Sequence, residues 1–282
     1  MKNYNTKELV EKYNVKTKKS WGQNFISDTN IIEKMVNLSM VNKDSVVIEI
    51  GPGLGILTKS LAEKAKRVIA FEIDKNLVNI LNDIFKERNN IEIVEGDFLK
   101  VKLQNFVTKK EYKKLVVCAN LPYYITTPIL FKLFESDVEI PCISIMMQKE
   151  VAQRFTGKQG TKDYNALTVI TQYKYDTKII MKVAKEIFYP MPKVDSAVVL
   201  FKRKPKVDAI NEVEFFNMVK SCFKYRRKTI YNNYREEVGD LLAQKILKKA
   251  EIALSIRAEQ LSLTQYLKLF EVYSEEKSFC ES

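Results

Sequence analysis

An α/β domain with a mostly parallel sheet, followed by a small all-helical domain, is the fold class this sequence predicts. Three observations carry it. Short apolar runs alternate with helical periodicities from Ser45 past Lys149, a glycine-rich turn separates the first run from the first helix, and from Val213 onward only helical patterns occur. Strands alternating with helices imply βαβ units and hence a parallel sheet.

The elements follow in order. Val46–Ile50 is an apolar run ended by Gly51 and reads as a buried strand. Ile56–Lys64 has helical spacing, and Val68–Phe71, closed by Glu72, is the second strand. Lys75–Arg88 reads as a helix with Leu77, Ile80, Leu81 and Ile84 on one face. Ile91–Val94, Leu115–Cys118 and Ile143–Met147 are further strands. Thr127-Pro128 predicts a helix N-cap with proline at the first helical position, and another helix is expected from Lys149. Lys178–Val183 and Ala197–Phe201 suggest a hairpin-like pair around Phe188-Tyr189-Pro190-Met191-Pro192. These features predict a basic N-terminal arm over 1–20 (disordered or a short helix), a sheet domain over 21–204, a helical domain over 205–273 and a polar tail over 274–282.

Composition narrows the chemistry. The 282 residues include 47 Lys and Arg against 35 Asp and Glu, a formal charge of +12, and 46% are hydrophobic, too many for a disordered chain. No apolar run approaches the ~20 residues that span a bilayer, and no apolar segment of a secretory signal follows the basic N-terminus. Neither membrane insertion nor export is expected. There is no histidine, which excludes a Ser-His-Asp triad, a Cys-His dyad and any imidazole base. The cysteines at 118, 142, 222 and 280 form no close pair, so a disulfide framework or metal site is not expected and reduced thiols in a cytoplasmic protein are.

Glu49-Ile50-Gly51-Pro52-Gly53-Leu54-Gly55 follows a strand and opens a helix. Gly51 and Gly53 let the chain turn tightly and let a ligand approach the backbone. Glu72 ends the next strand, where a carboxylate can accept from both hydroxyls of a ribose. Asp97 follows the third strand, within reach of an adenine edge. A glycine-rich turn alone occurs in many α/β proteins without a ligand, but the two acids at strand ends favour a nucleoside. A dinucleotide fingerprint wants glycines at x, x+2 and x+5, whereas here position 56 is Ile, and no P-loop lysine is present. A cofactor with one nucleoside and no phosphate, S-adenosylmethionine, fits better than a nicotinamide.

Asn120-Leu121-Pro122-Tyr123 follows the fourth strand and resembles the Asn/Asp-Pro-Pro-Tyr signature of amino-methylating enzymes. Read with Gly22-Gln23-Asn24-Phe25, Gln148-Lys149-Glu150-Val151, Pro192-Lys193-Val194-Asp195-Ser196 and Arg226-Arg227-Lys228-Thr229-Ile230, the chain from about Lys18 to about Tyr266 resembles the KsgA/RsmA family of ribosomal RNA adenine dimethyltransferases. The resemblance implies a Rossmann-like class I methyltransferase domain acting on two adjacent adenosines in the 3′-terminal hairpin of 16S rRNA. The partner would be the small ribosomal subunit, and the protein is expected to be a cytoplasmic monomer.

The chemistry of the turn can be argued from its residues. An adenine amine is a poor nucleophile because its lone pair is delocalised into the ring. Two acceptors on its N–H groups, the side-chain carbonyl of Asn120 and the backbone carbonyl of Leu121, would favour a pyramidal nitrogen and free that pair. Pro122 holds Leu121 extended, which aims the carbonyl. Tyr123 can stack on a base that has left its helix. The bland alternative is a helix-start turn with a chance tyrosine.

The resemblance further implies Phe188 as the second face of a base sandwich, and Asn24 and Ile26, with Asn120, around the cofactor. Tyr124 directly follows Tyr123, so the sequence leaves open which aromatic stacks on the base. Lys224, Arg226, Arg227 and Lys228 match the family's basic segment and are the expected RNA contacts, against the alternative of a merely solvated face. An Erm-type enzyme acting on 23S rRNA, or a non-catalytic assembly factor on the same fold, are the competing readings.

Overall fold

The structure is a computed structural model that describes residues 6–15, 22–108, 112–205 and 210–281. It divides into two compact units. The first comprises residues 1–152 and 178–203, the second 153–177 and 204–282.

The first unit is built on a seven-stranded sheet. A two-residue strand β1 (Phe25–Ile26) and helix α2 (Thr29–Leu38) lead into β2 (Ser45–Ile50), preceded by α1 (Thr6–Lys12). There follow α3 (Ile56–Lys64), β3 (Arg67–Glu72), α4 (Lys75–Phe85), β4 (Ile91–Glu95), β5 (Lys114–Asn120), α5 (Thr126–Phe134), β6 (Cys142–Gln148) and α6 (Lys149–Phe155). After α7 (Ala166–Lys174) the chain returns as β7 (Tyr175–Val183), β8 (Phe188–Tyr189) and β9 (Ser196–Arg203). The sheet order is β4-β3-β2-β5-β6-β9-β7. β2 runs parallel to both β3 and β5, with Val47 opposite Val68 and Val116, and β9 runs antiparallel to β6. Every residue of β2 is buried, which is why, Ser45 and Glu49 apart, it reads as an apolar run rather than an alternating one.

Strand order reverses between β2 and β5. In open α/β sheets the crevice at that reversal, beyond the carboxyl ends of the strands, is where ligands bind. The glycine turn leaves β2 there and the Asn120–Tyr123 turn leaves β5 beside it.

The second unit contains α7 and α8 (Glu212–Cys222), α9 (Ile230–Val238), α10 (Asp240–Lys249) and α11 (Leu263–Glu281). Its core is aromatic. Phe215 lies 5.1 Å from Tyr173 and 5.5 Å from Phe270, and Phe223 stacks on Tyr266 at 5.9 Å, measured between ring centroids.

Three expectations are corrected, and the N-terminal arm takes, in its described part, the short-helix form the sequence allowed. Residues 153–177, assigned from sequence to the sheet domain, group with the helices because Tyr173 of α7 packs on Phe215 and Phe216. The expected polar tail is part of α11, where buried Glu276 pairs with Lys245 and Lys249 at 2.5 Å each. The N-terminal arm, in its described part, is α1 packed on the sheet unit, with Leu9, Val10 and Val15 against Phe25, Leu54 and Leu77 and the Thr6 hydroxyl on the Ile26 carbonyl; residues 1–5 and 16–20 lie outside the described residues. Thr127 is not an N-cap. A single 3₁₀ turn over Tyr123–Ile125 runs directly into α5 at Thr126, and Pro128 sits in the first helical turn, where a missing N–H costs no bond.

Candidate active site

The first glycine turn needs backbone conformations that side chains disfavour. Gly51, Gly53 and Gly55 have φ of +68°, +58° and +77°. Their surroundings separate their uses. A Cβ on Gly51 would meet only Pro122, at 3.9 Å, so its surface is open to a ligand. A Cβ on Gly55 would stand 2.6 Å from the Phe85 ring and 2.9 Å from Leu81, so this glycine serves the packing of α4 rather than the cavity.

Asn24, Ile26, Gly51, Gly53, Glu72, Asp97, Asn120, Leu121, Pro122, Tyr123 and Phe188 all line one cavity in the first unit. The structure thus brings together every candidate cofactor and catalytic residue read from the sequence. Lys224, Arg226, Arg227 and Lys228 belong to the second unit and do not line it.

Glu72 is 5% exposed. Its Oε1 accepts the N–H groups of Ile73 and Asp74 at 2.9 Å each, and Oε2 accepts Gly53 N–H at only 3.3 Å. Burial raises its pKa, against those backbone bonds. The long Gly53 contact leaves Oε2 with acceptor capacity toward the cavity. Asp97 accepts Leu99 N–H at 3.0 Å and caps the 3₁₀ turn Phe98–Lys100. Phe98, Leu99, Ile73 and Leu77 supply apolar lining between these acids.

On the other side, Asn120 Nδ2 donates to the Asn24 carbonyl at 3.3 Å, which fixes the amide and leaves Oδ1 without a donor among the described residues. Leu121 is buried, with its N–H held by the Met146 carbonyl at 3.3 Å. The Tyr123 hydroxyl pairs with Ser196 Oγ of β9 at 2.9 Å, and burial raises its pKa. Phe188 is 4% exposed and its strand β8 pairs antiparallel with β1, Ile26 opposite Phe188 and Phe25 opposite Tyr189. The expected pair is present, since β7 and β9 are neighbours at the sheet edge, and the segment between them also pairs with the chain before β2.

The sequence reading passed over Glu49. It lines the cavity, is 1% exposed, and its Oε2 has no partner. Burial pushes its pKa up to about 8, opposed by Thr58 and reinforced by the Glu72 carboxylate. A lone acid in a wholly apolar strand was the signal available. The folded-state value lies above the unfolded one. The stability tied to the proton is therefore complete below the ordinary carboxylate range and is lost as pH rises toward about 8. Glu49→Gln is expected to flatten the decline of the thermal midpoint over that window, leaving the smaller contribution of Glu72, which has the same sign. An unaltered profile would assign the decline to other groups.

The cavity fits a nucleoside carrying a positively charged tail. It offers glycine backbone without side chains, apolar lining beside Glu72 and Asp97, and an orphaned buried carboxyl oxygen on Glu49. Among the described residues no group of His, Cys, Asp and Glu could hold a metal ion, and no helix is long and apolar enough to cross a membrane.

In the second unit, Lys224 and Lys228 lie 5.4 and 4.2 Å from the Tyr225 ring centroid and both pair with Glu236, at 3.1 and 3.0 Å. Buried Asn233 accepts Tyr225 N–H at 3.0 Å and donates to the Cys222 and Tyr225 carbonyls, pinning this basic turn to α9. Arg226 donates to the Lys162 carbonyl at 2.6 Å.

Comparison with known proteins agrees with this geometry. The chain is 42% identical over 275 residues to ribosomal RNA small subunit methyltransferase A of Clostridium acetobutylicum, covering 95% of this chain and 98% of that protein. It is 44% identical over 280 residues to the protein of the same name from Streptococcus thermophilus, covering 96% of each. Among solved structures, a dimethyladenosine transferase from Plasmodium falciparum superposes with a TM-score of 0.78 at 26% identity, over 90% of this chain and 98% of that one. The 23S rRNA methyltransferase ErmE gives 0.70 at 27% identity, over 89% and 100%. With residues 14–275 matching its family-wide pattern, the chain belongs to the ribosomal RNA adenine dimethylase family.

Proposed function

We propose that this protein transfers methyl groups from S-adenosylmethionine to the N6 amines of two adjacent adenosines in the 3′-terminal hairpin loop of 16S rRNA, giving N6,N6-dimethyladenosines during small-subunit biogenesis. One observation carries the reading: the glycine turn and the Asn120–Tyr123 turn open onto one cavity, with Gly51 and Pro122 in near contact. The near end-to-end similarity to small subunit methyltransferases supports the choice of subunit.

S-adenosylmethionine, when bound, supplies a methyl group already made electrophilic by its sulfonium. Glu72 takes the ribose hydroxyls, Asp97 the adenine edge, and Asn24, Ile26 and Gly51 surround the amino-acid end. Asn120 Oδ1 and the Leu121 carbonyl accept the two N–H groups of the target amine and turn its lone pair toward the cofactor. Tyr123, its hydroxyl tethered to Ser196, and Phe188 enclose the base. No histidine is required, because a methylated adenine cation is acidic enough to lose its proton without a strong base. Most of the rate comes from positioning and aligned dipoles. Lys224, Arg226, Arg227 and Lys228 contact phosphates, with Glu236 holding the two lysines in the free protein. The enzyme works in the cytoplasm as a monomer, on the assembling particle.

The test is a mass-spectrometric map of methyl groups placed by the purified protein on unmethylated small and large ribosomal subunits. Two adjacent dimethylated adenosines near the 3′ end of 16S rRNA are expected. Methylation confined to the large subunit, or none on either, would overturn the reading.

A further inference from the structure

Three aromatic side chains stand at the target-base end of the cavity, and the structure sorts them. Phe188 is buried at 4% exposure, and Tyr123 is half-buried with its hydroxyl committed to Ser196. Tyr124 also lines the cavity but is 63% exposed. An isolated exposed tyrosine needs no explanation on its own. Here the setting supplies one.

Tyr123 and Tyr124 are consecutive residues of the 3₁₀ turn Tyr123–Ile125. Three residues per turn set neighbouring side chains about 120° apart, so one ring turns inward when the other turns out. The outward ring is braced. Gly22, with φ +58°, stands against one edge of it: a Cβ there would lie 3.6 Å from Cδ1 of Tyr124 and 3.9 Å from Pro122 Cβ. Among the described residues its hydroxyl has no hydrogen-bond partner and its ring no aromatic neighbour. The result is a mostly exposed aromatic ring at the rim of a cavity whose inner aromatics are already placed for one base.

A base that enters the cavity leaves its neighbour in the strand without a stacking partner. We infer that Tyr124 is the stacking platform for the nucleotide adjacent to the target adenosine, holding the second adenosine at the rim while the first lies between Tyr123 and Phe188. The inference rests on the function proposed above and adds a substrate-binding residue to it. Tyr123 then serves the reacting base and Tyr124 the neighbour on one side of it in the strand. The site is matched to a pair of stacked purines rather than to a single one.

The experiment compares Tyr124→Ala, Tyr124→Phe and the unaltered protein on unmethylated small subunits, with S-adenosylmethionine affinity measured by calorimetry as the check of folding. Tyr124→Ala is expected to raise KM for the subunit on the order of ten-fold, the scale of one lost base–aromatic stack. Cofactor affinity should not change, kcat should change far less than KM, and subunits methylated at only one of the two adenosines should accumulate. Tyr124→Phe keeps the ring and should restore KM and the paired product. Tyr124→Ala with an unchanged KM and both adenosines methylated would overturn the inference. So would Tyr124→Phe as impaired as Tyr124→Ala, since the hydroxyl rather than the ring face would then matter. If the unaltered protein leaves the subunit unmethylated, the proposed function itself fails, a result separable from either of these.

Discussion

Asn120→Ala is expected to lower methyl transfer by a factor of about 10²–10³, the range for removing one aligned polar group from a reacting centre. One N–H of Asn120 Nδ2 is taken by the Asn24 carbonyl, which orients the amide and leaves the acceptor Oδ1 available to a substrate amine. That acceptor acts on charge that develops only as the amine pyramidalises, so its loss falls on kcat rather than on KM. The residue is partly exposed at the end of β5 and its truncation opens no core void, so the variant should fold. Single-turnover methylation with saturating cofactor measures the step directly. A variant as fast as the parent would remove Asn120 from the chemistry and leave the Leu121 carbonyl alone.

Glu72→Ala should weaken S-adenosylmethionine binding by ~1–3 kcal/mol, the value of hydrogen bonds to a charged acceptor. A second effect is expected beside it. The N–H groups of Gly53, Ile73 and Asp74 all end on this carboxylate, and Asp74 is the N-cap of α4. Removing it leaves three backbone donors without their acceptor and loosens the glycine turn and the start of α4 together. Glu72→Gln retains one acceptor oxygen and should lie between the two. Calorimetric titration of each variant is the measurement. Equal affinity in Glu72→Ala and the parent would place the ribose elsewhere.

The central strands were legible because each is buried on both faces. Val46–Ile50, interrupted only by Glu49, and Leu115–Cys118 stand out as apolar runs and are extended by only one or two residues at their ends in the structure. The site was legible for a related reason: parallel strands present their carboxyl ends on one rim, so motifs that follow strands must converge. What could not be read depends on contacts between distant segments. β1 and β8 are two residues each, too short for any periodicity, and exist through each other. The placement of α7 with the helices follows from where Tyr173 finds Phe215, which no local pattern records. Glu49 was overlooked because its burial is a property of the finished sheet. Tyr124 was seen but not separated from Tyr123, since only the turn geometry sets their rings apart.

The path of the chain has a consequence for engineering. Residues 153–177 leave the sheet unit, join the helices and return for β7 and β9 before the chain departs again at Lys204. A truncation after residue 204 therefore does not release a self-sufficient catalytic half. It strands Tyr173 without the phenylalanines it rests on, and it leaves Lys174 without Glu212, its ion-pair partner at 2.7 Å. Chimeras between relatives inherit the same constraint: two separate stretches must be exchanged as a set, or the recombinant carries a mismatched seam inside its helical core.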